Sequence, residues 1–367
     1  MRIVIAGGGT AGHIFPSIAV ADRLRDGGAT VGFIGSPVGQ EASIVPAAGY
    51  RFHPVAAAPF RRELSLRSAA APFVAMRSVV TSRPIVREVD AVLGMGGYAS
   101  IAPVLAARSL RVPVVLHEQN AIPGLANRLL ARLATAMALT FEDSRGRLPR
   151  SLRTEVTGLP LRREIREAAV RRDELVEEAR REWGLEPGRT TLLVTGGSQG
   201  ALHVNQVIAD AIPLLAGRSD LQLVVLTGAA HEPVVASAAS QEMELIVRTV
   251  AFLERMELAL AVADLAVARA GANTIHELAA CGIPSILVPY PHATDDHQAA
   301  NARELERAGA AEVYPDRALT PEGLARRILS LTGDAERRTV MAKAGEAWAK
   351  PDADERVAKL VREVARR

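Results

Sequence analysis

The chain has 367 residues, 49% of them hydrophobic, which exceeds one ordinary core and suits two α/β domains. Its single cysteine, Cys281, excludes an internal disulfide and fits a reducing compartment, and no run of apolar residues is long enough for a membrane-spanning helix. The formal charge of +3 is uneven, because residues 1–158 hold 18 Arg, no Lys and 10 acids, a net +8 that leaves −5 on the rest. Such asymmetry points to an anionic partner for the N-terminal half. With aromatics at 4% and no nucleic-acid-binding motif, an anionic membrane surface or a phosphorylated substrate fits better than nucleic acid.

Residues 2–13, RIVIAGGGTAGH, read as a buried strand, a glycine turn and the start of a helix that runs to about residue 25. Met1-Arg2 lead straight into that strand, which predicts no signal peptide. Strands are expected at 30–36, 51–56, 91–93, 112–117, 136–140 and 155–157 with helices between them. That alternation predicts a mostly parallel sheet covered on both faces. Residues 59–83 interleave five Arg with apolar residues including Leu64, Phe73, Met76 and Val80. They read either as an amphipathic helix packed on the sheet or as an Arg-ringed apolar surface for anionic headgroups. Residues 158–183, dense in charge, predict an exposed helix ahead of a new domain. Residues 191–201, TLLVTGGSQGA, repeat the strand, glycine turn and helix start, and further strands are expected at 221–227, 245–249, 265–268 and 285–288. Helical stretches at 319–331 and 334–366 close the chain.

Gly7, Gly9 and Gly12 match a dinucleotide fingerprint, but that fingerprint needs an acid ending the second strand to hold the ribose. Here the strand ends in Gly35, Ser36 and Pro37, and the first acid is Glu41, so the dinucleotide reading falls. What remains is a polar loop carrying Thr10 and His13 at a helix start, where an imidazole suits proton transfer. GMGGYAS at 94–100 and HEQNAIPGLAN at 117–127 follow other strand ends, and loops at the C-terminal ends of parallel strands converge on one crevice. Tyr98, Glu118 and Asn120 are thereby placed near His13, with Glu118 read equally as a helix cap. In the second half, the loop carrying Ser198 suits a diphosphate on backbone amides. Arg269 suits a phosphate or sugar, and Glu277 could bind two neighbouring ribose hydroxyls or serve as a first-turn acid. HATDDHQ at 292–298 could hold a metal or, preferably, contact a sugar; no HExxH is present.

Taken in order, GGTAGHIFP, GMGGYAS, HEQNAIPGLAN, TGLPLR, GGSQGA, RAGANTIHE and HQAANA resemble a family across nearly the whole chain. The family is the peptidoglycan N-acetylglucosaminyltransferases, which move GlcNAc from UDP-GlcNAc onto undecaprenyl-pyrophosphoryl-MurNAc-pentapeptide. The resemblance implies two Rossmann-like α/β domains with parallel sheets facing across a cleft, the B-type glycosyltransferase fold. It implies an acceptor- and membrane-facing domain at 1–158, with about 345–367 packing back on it, and a UDP-GlcNAc-binding domain at 159–344. The resemblance implies donor contacts from Thr10, Asn120, Arg162, Ser198, Phe252, Leu253, Arg269, Thr274, Glu277, His297 and Gln298. Acceptor-side loops would be Gly9, Gly12, Gly96, Gly97 and Tyr98. The base for the inverting transfer would be His13, or, more weakly, Glu118. No metal or cofactor is implied, and the protein would lie peripherally on the cytoplasmic face of the cell membrane. Ala11, Ile101, Leu159, Asn273 and His297 depart from residues common in the family.

Overall fold

The computed structural model describes residues 1–56, 66–197, 201–228, 231–239 and 244–366. The chain divides into two compact units, Met1–Arg162 with Lys350–Arg367, and Arg163–Ala349. Each is built on its own parallel sheet.

The first unit contains β1 (Arg2–Ala6), β2 (Thr30–Gly35), β3 (Arg51–Pro54), β4 (Ala91–Gly94), β5 (Val114–Glu118), β6 (Ala136–Leu139) and β7 (Arg153–Val156). They pair in parallel in the order β3-β2-β1-β4-β5-β6-β7. Side chains alternate across the sheet, and both faces are apolar because both are covered. Ile3, Ile5, Leu93, Val115 and Ala138 point to the face covered by helices Ala11–Asp26 and Ala353–Ala365, through Val20, Leu24, Val357, Leu360 and Val361. Val4, Ala6, Val92, Leu116 and Met137 point to the other face, with Val86, Val104 and Leu130 from helices Leu66–Val86, Ile101–Leu110 and Leu125–Leu130. An ion pair fastens the last helix to the first: Asp354, fully buried, accepts from Arg23 Nε at 2.7 Å.

The second unit contains β8 (Thr190–Thr195), β9 (Leu221–Leu226), β10 (Ile246–Val250), β11 (Leu265–Ala268), β12 (Ser285–Leu287) and β13 (Ala311–Val313), in the parallel order β10-β9-β8-β11-β12-β13. β13 was not expected from the sequence; three residues are too few to show a period. The charge-dense stretch also differs from the exposed helix expected. It forms helices Arg163–Val170 and Arg172–Trp183, and Leu175, Ala179 and Trp183, spaced four apart, bury one face of the second. Arg172 anchors that helix by donating to the carbonyls of Ala261 and Ala263. The closing stretch is two helices, Ala335–Trp348 and Ala353–Ala365. Pro351 separates them, since it lacks an N–H and disfavours helical backbone in the residue before it.

Candidate functional site

In the first unit, the loops after β1, β4 and β5 meet at the C-terminal edge of the sheet. Gly8 and Gly9 turn the chain out of β1 with φ of 154° and 95°, and the helix begins at Ala11. Gly96 and Gly97 turn it out of β4 with φ of 87° and 73°. These glycines are required by contact as well as by backbone. A Cβ on Gly97 would lie 2.7 Å from the Gly8 oxygen and 3.1 Å from Cδ2 of His13, and one on Gly9 would lie 3.2 Å from the Tyr98 ring. Gly96 and Gly97 thus lie against His13, and Tyr98 against Gly9. His13 Nδ1 lies 2.9 Å from Oε1 of Gln119, the residue after Glu118 in the β5 loop. His117, one strand position earlier, is fully buried, and burial holds its imidazole down at about 4.

Glu118 takes the capping role. Oε1 accepts from the Asn120 N–H, and Oε2 accepts from the Gly124 N–H and from Nδ2 of Asn127. A buried carboxylate with both oxygens engaged by three donors shapes its own loop. Asn120 is half-buried, and its carbonyl accepts from the Ser144 hydroxyl. Thr10 is the exposed N-cap of the first helix, with no side-chain capping bond. Gly12, in the first turn of that helix, has open space on its Cβ side apart from the Thr10 hydroxyl at 3.4 Å. Arg162 lays its guanidinium 4.5 Å from the Phe15 ring centre.

Glu41 stands six residues past the end of β2, yet the fold returns it to the first glycine loop. It is 1% exposed, accepting from the Gly9 N–H at 3.0 Å and from the Ser36 N–H at 2.9 Å. Gln40 beside it takes the Ala11 N–H at 2.9 Å. Two amides of the β1 turn are therefore held by side chains 29 to 32 residues away, a link no local pattern reveals.

In the second unit, Ser198 lies outside the described residues; the turn leading to it has Gly197 at φ 81°, with its N–H on the Thr195 hydroxyl. Arg269 is turned inward. Its side chain is 7% exposed, and Nη1 donates to the carbonyls of Val288 and Pro289 and to Asp316. It braces the end of β12 against the loop after β13. Asp316 also bonds Nδ1 of His203, on the helix that follows the glycine turn. Thr274 and Glu277 lie three apart on helix Ala272–Ala280, on one face and both half-buried. Phe252 is exposed and Leu253 half-buried in the loop after β10. Gln298 accepts from the Tyr290 N–H, and His297 Nδ1–H donates to the Thr294 carbonyl. Asp295 and Asp296 both have left-handed backbone, φ 52° and 55°, a strained step into the following helix. Among the described residues no three His, Cys, Asp or Glu side chains gather into a metal cluster, so the 292–298 run does not converge. Cys281 is buried, which pushes its thiol up to about 12.

Paired parallel-sheet units, each led by a glycine turn at a helix start, define a class. The chain belongs to glycosyltransferase family 28: residues 3–139 match that family's N-terminal domain and residues 191–357 its C-terminal domain. It is a glycosyltransferase. Among its curated relatives, the UDP-N-acetylglucosamine–N-acetylmuramyl-(pentapeptide) pyrophosphoryl-undecaprenol N-acetylglucosamine transferase of Halothermothrix orenii is 38% identical over 100% of both chains. Its counterpart in Shewanella amazonensis is 41% identical, over 100% of this chain and 98% of the relative. The crystal structure of Acinetobacter baumannii MurG matches with a TM-score of 0.78 at 29% identity, covering 99% of each chain. A UDP-GlcNAc 2-epimerase from Neisseria meningitidis shares the fold, with a TM-score of 0.70 at 12% identity over 99% of this chain and 100% of the other.

Proposed function

We propose that this enzyme moves GlcNAc from UDP-GlcNAc to the 4-hydroxyl of MurNAc in undecaprenyl-pyrophosphoryl-MurNAc-pentapeptide, converting lipid I to lipid II in peptidoglycan synthesis. The observation that carries this reading is the placement of His13, an imidazole at a helix start with glycine turns against it. Relatives named for this transfer, alike over the whole chain, support the choice of donor and acceptor. The acceptor oxygen attacks C1 of GlcNAc with inversion, its proton passes to His13, and the C1–O bond to UDP breaks with the electron pair leaving on the diphosphate. Tyr98, Gly9, Gly12, Gly96 and Gly97 form the acceptor side. Thr10, Asn120, Arg162, Ser198, Phe252, Leu253, Thr274, Glu277, His297 and Gln298 serve the donor, and Arg269 acts behind them as a brace. Backbone amides at helix starts stabilise the charge of departing UDP without a metal.

The lipid-linked acceptor calls for a membrane surface. Helix Leu66–Val86 leaves Met76 and Val80 exposed beside exposed Arg77, and Leu125 and Leu129 are exposed on helix Leu125–Leu130, which supports peripheral attachment to anionic lipid on the cytoplasmic face. No helix among the described residues is long and apolar enough to cross a membrane. One assay tests the reaction: UDP-GlcNAc labelled in its sugar, with and without the muramyl lipid. Labelled lipid product and stoichiometric UDP are expected only with the acceptor; consumption of UDP-GlcNAc without it overturns the assignment. Co-sedimentation with anionic vesicles, lost in Met76→Asp/Val80→Asp, tests the surface, and equal sedimentation of both forms refutes it.

A further inference from the structure

Gln119 is 4% exposed, and its Oε1 lies 2.9 Å from Nδ1 of His13, while its own Nε2 is buried with no partner among the described residues. With the amide oxygen as the acceptor, this contact places the proton on Nδ1 of His13. A neutral imidazole protonated on Nδ1 has its lone pair on Nε2. A buried amide nitrogen left without a partner costs the fold stability, and an apolar side chain of similar size would serve the packing better. The fold alone therefore has no use for a glutamine here, whereas the imidazole has.

We propose that Gln119 is a positioning residue of the transfer: it fixes the ring and the tautomer of His13, presenting Nε2 to the acceptor hydroxyl. This rests on His13 as the base. A neutral amide orients the imidazole without adding the negative charge that a carboxylate would bring to it. The ring receives the hydroxyl proton on Nε2 as the C1–O bond forms and the bond to UDP breaks, becoming an imidazolium whose Nδ1–H still donates to Gln119. The titratable groups on the neighbouring loops are His117, Glu118, Glu41 and Tyr98. His117 is held neutral by burial, Glu118 is engaged by its own loop, and Glu41 holds Gly9 and Ser36, while Tyr98 lies against Gly9.

The test compares Gln119→Leu, Gln119→Glu and His13→Ala in steady-state kinetics across pH, with melting temperatures alongside. Gln119→Leu is expected to melt no lower than the parent while kcat falls about 10- to 100-fold with KM for UDP-GlcNAc unchanged, short of the 100- to 10,000-fold that a general base contributes. Gln119→Glu, which offers only oxygens and so imposes the same tautomer, is expected to recover most of kcat. Its carboxylate makes the ring more basic and moves the acidic limb of the kcat profile up by about 1 pH unit. Adding Gln119→Leu to His13→Ala is expected to change nothing further. Wild-type kcat and acidic limb in Gln119→Leu, with His13→Ala inactive, overturn the role of Gln119 alone. Wild-type turnover in His13→Ala overturns the base itself. Should the leucine variant unfold, Gln119→Glu decides: an unmoved acidic limb overturns the proposal.

Discussion

Replacing Gly97 with alanine puts a methyl group where neither backbone nor neighbours have room. Gly97 sits at φ 73°, ψ 166°, a region almost confined to glycine, at a cost of about 1–3 kcal/mol for any other residue. The added carbon would also meet the Gly8 oxygen at 2.7 Å and Cδ2 of His13 at 3.1 Å. The first contact sets the new carbon against a backbone oxygen and must be relieved by moving a loop, which for overpacked sites costs about 1–3 kcal/mol more. Together the change is worth about 2–6 kcal/mol, or roughly 4–24 °C in the melting of a unit of this size. Gly28→Ala is the control: φ is 81°, but nothing lies within 4 Å of its Cβ, so only the backbone penalty of about 1–2 kcal/mol applies. Calorimetry of both variants separates the two contributions. Steady-state kinetics adds a second readout, because displacing the His13 ring by a fraction of an ångström is expected to lower kcat about 10- to 100-fold in Gly97→Ala and not in Gly28→Ala. If Gly97→Ala melts with Gly28→Ala and keeps its turnover, the described packing of the loops is wrong.

Two further predictions concern the scaffold. His117 is neutral in the fold at about 4, whereas an unfolded histidine titrates near 6.5, so the unfolded chain takes the proton first as pH falls. The stability it contributes is whole above pH 6.5 and drains between 6.5 and 4, by up to about 3 kcal/mol; denaturant unfolding of the parent and His117→Gln at pH 7 and 4.5 should show their difference shrinking, and a difference flat with pH refutes this. Asp354→Ala should cost about 2–3 kcal/mol, at the low end for a broken buried pair because Arg23 is 36% exposed and can turn to water. In a cycle with Arg23→Ala the two losses should fall short of additivity, and strict additivity would remove the ion pair from the account.

The sheets were legible because burial on two faces makes a strand continuously apolar, and glycine turns mark the ends of β1, β4 and β8. The first unit's glycine loops were legible from their place in the chain: His13, Gly96, Gly97 and Tyr98 each follow a strand end. What stayed hidden depends on side chains meeting across long separations. Gln119 reaches His13 over 106 positions, Glu41 reaches Gly9 over 32, and Arg269 turns inward to Asp316 over 47. Propensity is blind to such pairings. Glu118 was ambiguous because a cap and a base use the same carboxylate, and only its three donors separate the two.

Helix Ala353–Ala365 completes one face of the first sheet, although the whole second unit, residues 163–349, lies between them in the chain. During synthesis on the ribosome the first sheet emerges with Leu360, Val361 and Val357 still unmade, and roughly 190 residues must follow before they appear, about 10–40 s of elongation. Over that interval Ile3, Ile5 and Leu93 have no complete cover on one side. The second unit, contiguous in the chain, can fold on emergence. The nascent protein is therefore expected to finish its later half first and to present, until termination, an apolar sheet face of the kind that chaperones hold.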